Sequence, residues 1–319
     1  MVKIFLNSGT KYEDFLLDIE EINYPDGTKS FKIGGNVKKI NSIGAESRIK
    51  IVFLYSGLSS CMDMYIIVDE VRRCFPYTPI SLYISYMPYG RMDRAKNAGE
   101  TFALKSFAGL LNSLDVNSIA IFDPHSHISE ALVTKSYTRC RVMMDTMLVL
   151  ILENHVKSSF MDNESFYVAF PDEGAKKRYG DIISKCNFQK RIDGYYVGRK
   201  DRNWVDGKIK SLEISVEQKV MKSNEGSRNI LIIDDICSYG GTFKAFIKKA
   251  KEIYEDSIFY LYVSHLEPAV LDGDLLEEPS LEKVFTTDSL SGLWSERDRF
   301  NDIISNDKVE IFSIPYDRG

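Results

Sequence analysis

The sequence predicts an α/β chain built as two successive, doubly wound units with mostly parallel sheets. Three observations carry this expectation. Short apolar runs alternate with amphipathic stretches at helical spacing along the chain. The alternation begins again near residue 146, giving two units of about 145 residues each. Charged and polar residues cluster where the apolar runs end, the place where open α/β sheets bind ligands.

Taken in order, Val2 to Leu6 reads as a strand, and Tyr24-Pro25-Asp26-Gly27-Thr28 as a turn between short strands. Ile49 to Tyr55 is a further strand. Cys61 to Phe75 places Met64, Ile67, Val68, Val71 and Phe75 at helical spacing, and Pro76 and Pro79 end that helix. Ile80 to Tyr86 is a strand running into Met87-Pro88-Tyr89-Gly90-Arg91-Met92-Asp93-Arg94. Phe102 to Leu114 is an amphipathic helix, and Ser118 to Phe122 a strand ending at Asp123-Pro124-His125-Ser126-His127. A helix from Val142 to Asn154 is expected to join the units. The second unit then offers a strand at Phe166 to Phe170, ending at Pro171-Asp172-Glu173-Gly174, and a helix from Ala175 to Cys186 with Lys176, Lys177 and Arg178 in its first turns. Ile192 to Val197 is a strand followed by a basic segment through Arg199, Lys200 and Arg202. Lys208 to Val216 and Ile258 to Val263 are strands, Thr286 to Ser289 is a polar strand end, and Lys308 to Ile314 is the last strand.

The most informative stretch is Arg228 to Phe243. Four apolar residues, Ile230 to Ile233, lead to Asp234 and Asp235; then come Ser238-Tyr239-Gly240-Gly241-Thr242 and a helix from Lys244 to Tyr254. A buried strand feeding a glycine-rich turn at a helix N-terminus presents backbone N–H groups and a positive dipole end to a phosphate. Glycines let the backbone approach the ligand closely. Two carboxylates can accept hydrogen bonds from a sugar diol, so the stretch suggests a ribose-phosphate site. An ordinary strand–turn–helix explains this stretch equally well when it is taken alone.

Composition narrows the classes. At 319 residues, with 44% hydrophobic and 27% charged residues, the chain has material for two globular cores. A net charge of −5 argues against a nucleic-acid partner, which needs a basic face. The five cysteines form no CxxC or zinc spacing and read as free thiols of a reducing compartment. The first apolar run is too short for a signal peptide, and no run suits a membrane span. The expected location is the cytoplasm. Each strand-end cluster has a plain structural use as well: Arg91 and Arg94 can pair with Asp93 on the surface, His125 and His127 can form a polar turn, and Lys200 to Arg202 can be a solvated loop.

Together the clusters resemble the ribose-phosphate diphosphokinases, also called PRPP synthetases. Tyr86 to Arg94 is similar to that family's ATP segment Y-F-P-Y-A-R-Q-D-R, and Phe122 to Ser126 to its M-D-L-H-A. Phe170 to Arg178 is similar to S-P-D-x-G-G-x-K-R, Lys200-Asp201-Arg202 to the catalytic loop K-x-R, and Asp234 to Thr242 to the ribose-5-phosphate loop D-D-x-x-D-T-x-G-T. The resemblance implies two tandem phosphoribosyltransferase-type, Rossmann-like domains over residues 1–145 and 146–302, with residues 303–319 forming a final strand packed back on the first domain. It implies Mg2+ held with the help of His125 and Asp172. ATP would lie on Arg91, Met92, Asp93 and Arg94, with Tyr24, Asp26 and Thr28 serving adenine across a subunit boundary. Lys200, Arg202 and His125 would be catalytic. Asp234, Asp235, Ser238, Tyr239, Gly240, Gly241 and Thr242 would hold the ribose phosphate. A dimer-based homo-oligomer, usually a hexamer, is implied too.

The chain departs from the pattern at three places. Thr28 stands where the family has an acid, Met92 where it has glutamine, and Ser238-Tyr239 where it has Asp-Thr. The Asp-Pro-His-Ser and Ser-Tyr-Gly-Gly-Thr segments look more like phage-encoded members, a subgroup that includes enzymes acting on ADP-ribose in NAD salvage; for such an enzyme the location would be the host cytoplasm. Two acceptors are therefore expected on equal terms, ribose 5-phosphate and ADP-ribose. The alternatives are a phosphoribosyltransferase, which consumes PRPP and leaves the first-unit motifs without a use, and an inactive regulatory subunit, which retention of Lys200, Arg202 and His125 argues against.

Overall fold

A computed structural model describes residues 2–7, 14–34, 47–138, 165–185, 192–202, 209–218 and 228–314. The expected helix at Val142 to Asn154 lies outside these residues. The chain divides into two compact units: residues up to 138 with Ser289–Glu296, and residues 165–288 with Arg297–Ile314.

The first unit is a six-stranded sheet in the order β2-β1-β5-β6-β7-β8. Its strands are β1 (Val2–Asn7), β2 (Asp14–Leu17), β5 (Arg48–Phe53), β6 (Ile80–Ile84), β7 (Ser118–Ile121) and β8 (Ser136–Thr138). β5 through β8 run parallel, and β1 is antiparallel to both β2 and β5. Parallel strands are covered on both faces and so read as continuous apolar runs; Ile51, Val52 and Phe53 of β5 are all buried. Helix α1 (Leu58–Cys74) buries Met64, Ile67, Val68 and Val71, and α2 (Ala103–Ser113) buries Leu104, Phe107, Ala108 and Leu111. Each of these apolar side chains larger than alanine contributes about 1.5–3 kcal/mol on burial. Arg72 closes the C-terminal end of α1 by donating to the carbonyls of Phe75, Pro76 and Thr78 at 3.0–3.1 Å. A separate hairpin, β3 (Ile19–Asn23) and β4 (Lys29–Ile33), is joined by the expected turn at Pro25-Asp26-Gly27.

The second unit is a seven-stranded sheet in the order β11-β10-β9-β12-β13-β14-β15. It contains β9 (Ser165–Phe170), β10 (Gly194–Arg202), β11 (Ile209–Gln218), β12 (Arg228–Cys237), β13 (Ser257–Leu266), β14 (Leu281–Thr287) and β15 (Val309–Phe312). All neighbours are parallel except β10 and β11. In chain order, α3 (Ile128–Leu132) lies in the first unit; α4 (Glu173–Lys185) and α5 (Gly241–Lys251) follow in the second. Two short helices, α6 (Ser291–Glu296) and α7 (Phe300–Ile304), come after β14.

Three expectations need correction. β12 does not stop at the two carboxylates: Ile236 and Cys237 remain in register with His265 and Leu266. Strand β10 runs through the basic segment, pairing Lys200 with Leu212, with a bulge between Asp201 and Arg202. The last strand belongs to the second unit, where β15 completes the sheet beside β14, pairing Val284 with Val309. The first unit instead takes Ser289–Glu296, where Ser85 Oγ donates to the Ser289 carbonyl at 2.7 Å and Trp294 is fully buried. The Thr286 to Ser289 cluster is also structural: Thr286, Thr287 and Ser289 are fully buried, and Thr287 Oγ1 donates to the Ser264 carbonyl.

Candidate active site

In the first unit the loops after β6 and β7 meet. Gly90 packs so tightly on His125 that a Cβ there would lie 3.2 Å from the His125 Cβ. Each loop holds a non-glycine residue at positive φ, Tyr89 at 60° and the buried Asp123 at 33°, a conformation that tertiary contacts have to enforce. Tyr89 is seated by its ring contact with Phe107 of α2 at 5.9 Å. Asp93 is the hub. It accepts from Arg94 through Nε at 2.7 Å and Nη2 at 3.0 Å, and from Ser126 Oγ at 2.8 Å. These donors, Arg94 first, hold the Asp93 carboxyl at about 2. Arg94 therefore does pair with Asp93, as the plain structural reading expects, yet its side chain stays 62% exposed. Arg91 and Met92 are exposed on the same loop, and His125 is half-buried.

At the β3–β4 turn Tyr24 is exposed, and Asp26 accepts from Thr28 through both the backbone N–H at 3.0 Å and Oγ1 at 2.7 Å. Thr28 lowers the Asp26 carboxyl. Thr28 thus has a local use: it closes the turn that Gly27, at φ 83°, makes possible.

In the second unit the strand ends gather four features. Asp234 and Asp235 are consecutive on β12, so their side chains point to opposite faces. Asp235 is buried against Arg178 of α4, Oδ2 to Nη1 at 3.1 Å. Asp234 Oδ1 accepts from the Asp235 N–H at 3.0 Å. Burial, then the charges of Asp235 and Asp172, push the Asp234 carboxyl up. Asp172 caps α4, its Oδ1 accepting from the Ala175 N–H at 3.0 Å. Beyond β12, Gly240 takes φ 83° and caps α5 without any side-chain cap. The first N–H groups of α5 are then available to an anion, and a Cβ on Gly241 would meet open space. A Cβ on Gly240 would lie 2.4 Å from the Leu275 Cβ, and one on Gly273 would lie 2.1 Å from the Tyr239 carbonyl. The turn is therefore clamped by the 273–275 segment, where Asp274 also pairs with Lys244 of α5. Tyr239 is 61% exposed, and Ser238 and Thr242 are half-buried.

Lys200 and Arg202 lie at the outer end of β10, but their side chains are outside the described residues. Gly198 of that strand crosses the Pro171 carbonyl, which a Cβ would approach to 2.4 Å. Sequence reading gave no role to the Arg178–Asp235 pair or to the Gly273 clamp. The first carried a signal, since three cations in the first turns of a helix oppose its dipole unless something pairs them. The second carried none, because only the tertiary fold brings Gly273 to Tyr239. Among the described residues no group of three or more His, Cys, Asp and Glu is placed to hold a metal ion. Cys61, Cys74 and Cys237 are free thiols; Cys140 and Cys186 lie outside the described residues. No helix among the described residues is long and apolar enough to cross a membrane.

No family model matches the chain. It is 24% identical over 292 residues to the ribose-phosphate pyrophosphokinase of Methanothermobacter thermautotrophicus, covering 88% of each chain. It is 25% identical over 279 residues to the enzyme of the same name from Chlorobaculum tepidum, covering 86% of this chain and 76% of the relative. Its fold matches the crystal structure of phosphoribosylpyrophosphate synthetase from Mycobacterium smegmatis with a TM-score of 0.64 at 17% identity, over 93% of this chain and 86% of that one. That match covers both units and accounts for the paired, mostly parallel sheets. Sequence and fold comparisons both support the ribose-phosphate pyrophosphokinases as the family this chain is similar to.

Proposed function

We propose that the protein is a diphosphotransferase that moves the β,γ-diphosphoryl group of Mg-ATP to the anomeric hydroxyl of a ribose 5-phosphate moiety and releases AMP. One observation carries the reading: β12 carries Asp234 and Asp235 into a short turn, Ser238 to Gly240, that opens helix α5 at a left-handed glycine with no side-chain cap. A carboxylate for a diol, Asp234, and a backbone cradle for a phosphate then lie on a single strand–loop–helix, which suits a ribose phosphate. The names of the relatives, which span most of both chains, support the same chemistry.

In this reading Asp234 accepts from the ribose hydroxyls, and Asp235 is kept ionised and oriented by Arg178. The N–H groups of Gly241 and Thr242 hold the 5-phosphate. Arg91 and Arg94 take the phosphates of ATP, His125 helps position its metal, and Lys200 and Arg202 neutralise charge on the transferring group. Catalysis by positioning and charge stabilisation is ordinary for phosphoryl transfer. The residues present fit Mg2+, which takes one or two carboxylates plus substrate phosphates and needs no all-protein cage. Asp234, whose charge is disfavoured by burial and then by Asp235 and Asp172, is the donor a cation would relieve. When bound, the ion would neutralise phosphate charge as it develops.

Tyr239 replaces a small residue and is exposed at the phosphate loop, which favours an acceptor extended beyond the 5-phosphate, such as ADP-ribose. The test is incubation with Mg-ATP and either sugar, followed by mass spectrometry. AMP with 5-phosphoribosyl diphosphate, or AMP with ADP-ribose diphosphate, supports the proposal and names the acceptor. Absence of AMP with both sugars would sink it. A homo-oligomer is part of this proposal, and light scattering of the full chain reports it directly.

A further inference from the structure

Ser126 occupies a position where the ATP-loop pattern has alanine, yet its hydroxyl is fully employed. It is 5% exposed, accepts from the Ile128 N–H at 3.2 Å and donates to Asp93 Oδ2 at 2.8 Å. Asp93 in turn holds Arg94 through two parallel hydrogen bonds, a fork-on-fork geometry. An exposed ion pair between adjacent residues orders a guanidinium weakly by itself. Here the carboxylate is fixed from behind by a buried hydroxyl on the β7 loop, and that hydroxyl is fixed by a backbone amide at the start of α3. Only two of the five Arg94 N–H donors are used by Asp93, and the remaining three have no partner among the described residues. The result is an exposed guanidinium whose direction is set by a relay reaching across two loops.

We infer that Ser126 is a positioning residue, which acts through Asp93 to present the Arg94 guanidinium to the polyphosphate of ATP. The inference rests on the reading that the first-unit loops hold ATP. Ser126 itself touches no phosphate in this arrangement. Its loss would free Asp93 to rotate and carry Arg94 with it, weakening ATP binding and leaving the acceptor loop of the second unit untouched.

A mutant cycle tests this in the full-length protein, using calorimetric titration with Mg-ATP alongside steady-state kinetics. Ser126→Ala is expected to raise the dissociation constant and KM for Mg-ATP roughly tenfold, the scale of one hydrogen bond to a charged group. The KM for the sugar should stay within about twofold, and Ser126→Thr, which keeps the hydroxyl, should recover most of the loss. In an Asp93→Asn background, Ser126→Ala should add little further. An unchanged Mg-ATP affinity in Ser126→Ala, or full additivity with Asp93→Asn, overturns the inference even if the wild type makes AMP normally. If the wild type binds Mg-ATP and shows the predicted coupling but transfers nothing, the diphosphotransferase reading fails and the positioning role stands. If the wild type binds no Mg-ATP, both fall.

Discussion

Asp234 keeps a carboxylate where its charge is disfavoured by burial and by Asp235 and Asp172. The folded chain therefore holds that proton to higher pH than the unfolded chain. Stability falls as pH rises from the ordinary value of 3.8 toward the raised folded value, and stays reduced above it. Asp234→Asn should consequently raise the melting temperature at pH 7 by about 2–4 °C, while cutting turnover roughly 100-fold or more. Calorimetry and an AMP assay on the same preparation check both halves. Added Mg2+ should raise the wild-type melting temperature and have little effect on the variant. Asp93 has the opposite sign: Arg94 and Ser126 hold its carboxyl at about 2, so the stability it confers is complete above its ordinary value and is lost as pH falls toward 2. A residue retained at a cost to the fold suits a binding site better than a packing role.

The loop between β12 and α5 sorts its glycines by what a methyl group would meet. Gly240 needs φ 83° and lies against Leu275, so Gly240→Ala should cost about 2–4 kcal/mol in urea denaturation. Gly241 opens on empty space, so Gly241→Ala should fold as well as the wild type or gain up to about 1 kcal/mol. Its methyl group would then intrude on the proposed phosphate position and raise the KM for the sugar roughly tenfold or more. Equal damage to stability from both substitutions would contradict this division. Much of this element was legible: the apolar run Ile230 to Ile233, the two carboxylates and the two glycines are adjacent in sequence and obey local rules. The continuation of β12 to Cys237 was not, because a strand's length is set by its partner β13, which pairs Ile236 with His265. Likewise β10 absorbed Lys200 and Arg202 because β11 supplied an antiparallel edge for a segment whose own composition reads as a loop. The clamp at Gly273 depends on a residue more than thirty positions from the turn it contacts and leaves no pattern in either stretch.

Across the whole molecule, each unit carries part of the proposed ligand chemistry: Arg91, Arg94 and His125 in the first, the diol and phosphate loop with Lys200 and Arg202 in the second. The alternating periodicity made both sheets legible, since buried parallel strands must be apolar on both faces. The short edge strands β2 and β8 and the placement of β15 were not, because edge pairing is decided by neighbours rather than by composition. Lys200→Ala and Arg202→Ala should each lower turnover roughly 100-fold or more and leave Mg-ATP binding within about twofold, since cations serving the transition state act on kcat. Single-turnover kinetics and calorimetry separate the two; near-normal turnover would remove both residues from the catalytic account.

Attack by the anomeric hydroxyl on the β-phosphorus can be followed with an oxygen label. The sugar is labelled with oxygen-18 at its anomeric hydroxyl and incubated with Mg-ATP, and the products are analysed by phosphorus NMR and mass spectrometry. Attack by that hydroxyl on the β-phosphorus predicts AMP together with a diphosphorylated sugar that keeps the label in the bridge between C1 and phosphorus. Formation of ADP, absence of AMP, or a product whose bridging oxygen has lost the label would contradict it.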